Sequence, residues 1–85
     1  MNESNIRATV LGILARIAPE ADLTTLDPDV EWQEQLDLDS MNLLTMMVEI
    51  ESATGISVPE RDYPKVSTLN RCVEYLTGRT ATIPA

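Results

Sequence analysis

Leu36-Asp37-Leu38-Asp39-Ser40-Met41 is the stretch on which the reading of this chain turns. A run of acids ends there in a serine that opens an apolar helix. Leu43, Leu44, Met46, Met47, Val48 and Ile50 follow, apolar on most sides. Such a helix is central in its bundle or covers something on its second face. Serine is a favoured N-cap, because its oxygen accepts from the free N–H groups of the first turn. Asp37 and Asp39 add negative charge near the positive end of the helix dipole. Gly55 closes the helix, as glycine commonly does.

The chemistry around Ser40 is sparse. The chain has no histidine, so no imidazole can activate the hydroxyl. It has one cysteine, Cys72, and no cluster of metal-ligand residues. A serine presented without a base reads as the target of another enzyme rather than as a nucleophile in its own site. Nothing but Arg71 stands beside Cys72 to lower its pKa, so it reads as a buried core thiol. No acid–base pair is complemented by a nucleophile or a metal, which argues against an enzyme.

Outward from this centre the apolar spacing gives further helices. Ile6, Val10, Ile13, Leu14 and Ile17 predict a first helix over Ser4–Ala18, ended by Pro19. A long connection, Glu20 to Asp39, follows. Leu23, Leu26, Val30, Trp32 and Leu36 can tack it onto the core, with Trp32 as an anchor. Beyond Gly55, Ile56-Ser57-Val58-Pro59 is an extended connector, and Glu60 to Lys65 forms a short helical turn interrupted by Pro64. Ser67 or Thr68 caps a last helix carrying Leu69, Val73 and Leu76 and ending at Gly78. The expected fold is all-α: a small bundle of three main helices plus one short helix, with a long loop between the first and second. Residues 1–78 form the domain, and 79–85 a flexible tail.

Composition agrees. With 85 residues, the chain suits one domain. A chain of that size buries roughly 60–65% of its unfolded surface, enough for a small core. At 44% hydrophobic and 24% charged it is not of the disordered class. No apolar run approaches the roughly 20 residues of a membrane span. The start lacks a secretory pattern, so the cytoplasm is expected. Net charge is −8, and no lysine or arginine falls between Ile17 and Glu60. That one-sign surface repels nucleic acid and anionic lipid and attracts proteins with basic patches.

In these residues the chain resembles the acyl carrier protein family of fatty acid, polyketide and peptide synthases, over Ile6 to Leu76. Asp39-Ser40-Met41 is similar to the family's Asp-Ser-Leu motif, whose serine carries 4′-phosphopantetheine. Leu36 fits the leucine before the motif, and Ile50-Glu51 the Leu-Glu pair late in the second helix. Val58-Pro59 fits the hydrophobic-proline step. Lys65-Val66-Ser67-Thr68-Leu69 and Tyr75-Leu76 fit the approach to the last helix and its end. Several positions depart from the pattern. Asp37-Leu38 replaces the usual glycine, Asn42 and Thr45 stand where acids are common, Thr54 where an aromatic is, and Tyr63 where a small residue borders the acyl pocket.

The resemblance implies a carrier that catalyses nothing. A phosphopantetheinyl transferase would bring coenzyme A and magnesium to Ser40, and the arm's thiol would then hold cargo as a thioester. Asp39 and Met41 flank the attachment point. Partner recognition falls on Asp37, Asp39, Met41, Leu44, Glu49 and Glu51. Leu43, Met46, Ile50, Val58, Tyr63 and Val66 match positions bordering the cargo cavity, with plain core packing as the other reading of each. The Tyr63 ring is expected to shrink that cavity and favour short, polar or amino-acid cargo. The implied partners are the transferase, an acyl- or aminoacyl-activating ligase, and acyltransferase or synthase enzymes. No nucleic acid, membrane insertion or metal is expected, and the carrier would be a monomer. The leading reading is an acyl carrier with a thioester-bound acyl intermediate for a specialised fatty acid, lipid or secondary-metabolite pathway. Two others stay open: an aminoacyl or peptidyl carrier served by an adenylating enzyme, and an unmodified acidic adaptor.

Overall fold

A computed structural model describes residues 2–80. The elements run α1 (Glu3–Ile17), a 3₁₀ turn (Leu23–Thr25), α2 (Trp32–Gln35), α3 (Ser40–Thr54), a 3₁₀ segment (Glu60–Val66) and α4 (Leu69–Thr80). The architecture is the expected all-α bundle. α1 packs against both α3 and α4, and the 3₁₀ segment packs against α4.

Caps set the helix limits. The Asn2 side chain accepts from the Asn5 N–H and starts α1 one residue before the expected Ser4. Thr68 Oγ1 accepts from the Arg71 N–H at 3.0 Å, so Thr68 rather than Ser67 caps α4. Gly55 ends α3 at φ +76°, a left-handed conformation that only glycine takes without strain. α4 continues past Gly78 to Thr80, so Arg79 belongs to the helix and not to a tail. The rest of the expected tail, residues 81–85, lies outside the described residues.

The core sits where the three long helices meet. Ile6, Val10, Ile13 and Leu14 of α1 face Met46, Met47 and Ile50 of α3, and Cys72, Val73 and Leu76 of α4 close it. The long connection is fastened down rather than loose. Trp32, 1% exposed, plugs into the core. Its N–H donates to the Ser67 carbonyl, and the Asn70 N–H donates to that of Pro28. Asn70 also donates from its amide to Asp29 and accepts from Arg7, which ties the connection to both α1 and α4. Gln35 bonds Asp27 and Val30 across the bend. Backbone groups outside a helix ladder need such partners, and the Gln35 amide supplies them to Asp27 and Val30.

Candidate functional site

The approach to Ser40 is built by alternation. Leu36 and Leu38 are buried while Asp37 and Asp39 point outward, as in a short extended strand. The Leu38 N–H donates to the Leu36 carbonyl at 2.9 Å, which turns the chain tightly about Asp37. Two leucines therefore fix the entry into α3 against the core.

The cap of α3 is Asp39, not Ser40. Asp39 Oδ1 accepts from the Asn42 N–H at 2.8 Å, and Asn42 Oδ1 accepts from the Asp39 N–H at 3.1 Å. This reciprocal pair is a capping box. Ser40 becomes the first helical residue and is exposed. Its hydroxyl takes part in no hydrogen bond among the described residues. The local acid does the structural work and the serine oxygen is left for other chemistry. A phosphate on that oxygen would lie at a helix N-terminus, where free N–H groups and the dipole favour negative charge. The residues present thus fit a phosphodiester-linked arm.

The expected recognition residues divide. Asp37, Asp39, Met41, Leu44 and Glu51 are exposed around and beyond Ser40. Glu49 is half-buried, and Arg16 of α1 donates to it from Nε and Nη2 at 3.0 and 2.6 Å. It holds α1 to α3 before it can meet a partner. Val48, 60% exposed, joins Met41 and Leu44 on the same face. The sequence reading passed over it, although its place four residues after Leu44 was the available signal.

The expected cavity residues divide too. Leu43, Tyr63 and Val66 line a hollow of about 200 Å³ together with Trp32 and Met47. Val58 and Tyr63 line a second of about 170 Å³ with Leu44, Met47 and Val48. Met46 and Ile50, fully buried, line neither and serve as core. Met47 and Tyr63 wall both hollows.

Away from this face the 3₁₀ segment is latched to α4. Tyr75 Oη donates to Asp62 Oδ2 at 2.6 Å in a buried pair, and Lys65 Nζ lies 3.4 Å from Asp62 Oδ1. The Arg79 guanidinium stacks on the Tyr75 ring, 3.4 Å from its centroid. The hydrogen bond from Tyr75, aided by Lys65, holds the Asp62 carboxyl below its ordinary value. Burial, then the Asp62 bond, pushes the Tyr75 phenol up. Burial likewise pushes the Cys72 thiol up to about 12, so it is a core group and not a nucleophile. None of the described helices is long and apolar enough to cross a membrane.

Comparison with known proteins agrees with this geometry. The family described as "Phosphopantetheine attachment site" matches residues 8–76. The chain is 27% identical over 75 residues to an acyl carrier protein of Micrococcus luteus, covering 85% of this chain and 93% of that one. It is 26% identical over 72 residues to one of Myxococcus xanthus, covering 81% and 91%. It is 29% identical over 55 residues to one of Rubrobacter xylanophilus, covering 65% and 68%. With most of its length matched, the chain belongs to the phosphopantetheine-attachment family of acyl carrier proteins, which hold 4′-phosphopantetheine covalently and are carriers rather than enzymes.

Proposed function

We propose that Ser40 is the attachment point and that the loaded protein carries a short, polar or amino-acid thioester for a specialised pathway with dedicated partner enzymes. The observation that supports attachment is the division of labour at the start of α3. Asp39 and Asn42 close the cap, and the neighbouring Ser40 hydroxyl stays exposed and unengaged. In the transfer, Ser40 Oγ forms the new bond to phosphorus and the nucleotide half of coenzyme A leaves. The hydroxyl proton goes to a base on the transferase, since this chain offers no histidine for it.

Two further observations support the choice of cargo and partners. Tyr63 lines both of the hollows of about 200 and 170 Å³ beside α3, and neither offers much room for a long chain. Asn42 and Thr45 are uncharged and Glu49 is tied to Arg16, so the face beyond Ser40 carries little free charge for a general basic partner. The single buried cysteine, Cys72, allows no internal disulfide, which supports the cytoplasm as the compartment.

The test is intact mass after incubation with coenzyme A, magnesium and a broad-specificity phosphopantetheinyl transferase. Wild type should gain one phosphopantetheine and Ser40→Ala none. Equal gain on both would move the attachment point elsewhere.

A further inference from the structure

We propose that the groove between α4 and the 3₁₀ segment is a second docking surface, which takes an extended acidic segment of a partner protein. The groove has a volume of about 520 Å³, and Lys65, Arg71 and Arg79 line it together with Glu74, Tyr75 and Gly78. Four of the six basic residues of the chain fall between positions 61 and 79, in a protein of net charge −8. Three of those four line this one groove.

Helix spacing and one missing side chain build the groove. Arg71, Tyr75, Gly78 and Arg79 follow the i, i+4, i+7, i+8 spacing of a single helix face. Gly78 has no side chain, and nothing lies within 4 Å of where a Cβ would sit, so the face is open there. The Arg79 guanidinium is stacked on the Tyr75 ring and lies 3.8 Å from Asp62. Lys65 Nζ lies 3.4 Å from the same carboxylate. Asp62 is buried and also accepts from Tyr75, so it holds two cations in place without facing solvent itself. The Arg71 side chain is exposed and makes no ion pair among the described residues. Against these three cations stand the buried Asp62 and the exposed Glu74, which leaves a local surplus of positive charge on an acidic protein.

The spread of the charges selects the occupant. Arg71 and Arg79 are eight residues apart on α4, about 12 Å along the axis. With Arg79 pinned on Tyr75, a single phosphate spans that distance poorly. Carboxylates four residues apart on an extended chain are separated by about 13 Å, which matches it. A membrane or a nucleic acid fits less well, because an extended polyanion also meets the acidic remainder of the surface. A short protein segment meets the groove alone, and charge complementarity favours it. No residue of α3 and none on the approach to Ser40 lines the groove. A partner seated here leaves the Ser40 face to a second protein.

The probe is fluorescein-labelled hexaglutamate, titrated with the full chain and read by fluorescence anisotropy, with ¹⁵N amide shifts to place it. At low salt the wild type should bind it despite its own net charge of −8, with shift changes in residues 65–79 and none in 36–51. Arg71→Gln should raise Kd about fivefold and Glu74→Gln should lower it about threefold, the effect of one exposed charge in each case. Physiological salt should raise Kd about fivefold or more over low salt, because the charges are exposed and screened. Both positions are exposed, and circular dichroism and Tm verify that the variants fold.

No binding of hexaglutamate at low salt, or binding that Arg71→Gln leaves unchanged, would overturn the proposal. Inorganic phosphate that shifts the same residues as strongly as the peptide would make the groove a small-anion site and overturn it. Vesicles of anionic lipid that compete better than the peptide would overturn it as well. A dimer in sedimentation that Arg71→Gln dissolves would assign the groove to the acidic connection of a second copy and overturn it. None of these outcomes depends on loading of Ser40.

Discussion

Asp39 and Asn42 exchange hydrogen bonds across the first turn of α3, side chain to backbone in both directions, at 2.8 and 3.1 Å. Ser40 lies between them and is needed by neither. The helix start is thereby held by residues that chemistry at the serine does not consume.

Removing the cap should therefore cost stability where removing the serine does not. Asp39→Ala is expected to lose about 1 kcal/mol. Ser40→Ala should stay within about 0.5 kcal/mol of wild type. Urea unfolding of the unmodified proteins measures both. A Ser40→Ala as unstable as Asp39→Ala would return the cap to the serine.

The buried pair of Asp62 and Tyr75 makes stability depend on pH in a defined way. The folded carboxyl titrates below its ordinary 3.8. Its contribution is complete above 3.8 and disappears as pH falls through the lower folded value. The phenol is raised above its ordinary 10.0, so its part is complete below 10.0 and is lost as pH rises through the higher folded value. Tyr75→Phe removes the phenol's part and the largest cause of the carboxyl's, leaving the lesser pull of Lys65. Its Tm should lie roughly 5 °C below wild type near neutrality, with the gap narrowing at both extremes. A gap that is constant from acid to alkali would show that the pair does not act through its ionisation.

Tyr63 should limit the acyl chain that the protein can shelter. One further buried methylene is worth about 0.8 kcal/mol, or roughly 3–6 °C in a domain of this size. Along a series of lengthening acyl chains on the arm, Tm of wild type should level off early. Tyr63→Ala should continue to gain over longer chains. Long chains that stabilise wild type as much as the variant would remove Tyr63 from this role.

Cys72 is fully buried with its pKa pushed up to about 12, so the folded protein should resist thiol reagents at neutral pH. Labelling should run at least about 10³-fold slower than in the urea-unfolded chain, because access needs global opening. Rapid labelling in the native state would show that α4 opens locally.

The sequence by itself determined the three long helices, their order and Ser40 as the candidate attachment point, but not α2 or the 3₁₀ turn inside the long connection. Apolar periodicity, Pro19, Gly55 and the Asp-Ser step are local signals, and each is written within one or two turns of chain. It also marked Trp32 as the anchor of the long connection, because a single large ring in a polar loop has few other uses. It did not determine which residue caps α3, since Asp39 and Ser40 are both good caps and only the backbone geometry chooses. It left α3 apolar nearly all round without saying which face was covered. Packing against α1 chose Met46 and Ile50 for the core and left Met41, Leu44 and Val48 outside.

The longer-range contacts were decided by tertiary structure alone. Arg16 meets Glu49 across 33 positions, Asn70 meets Asp29 across 41, and Tyr75 reaches Asp62 across 13. No local preference encodes such pairs. They form because the hydrophobic core brings the helices together first; the buried Tyr75 and Asp62 must then satisfy one another, while the exposed pairs meet because their elements have become neighbours.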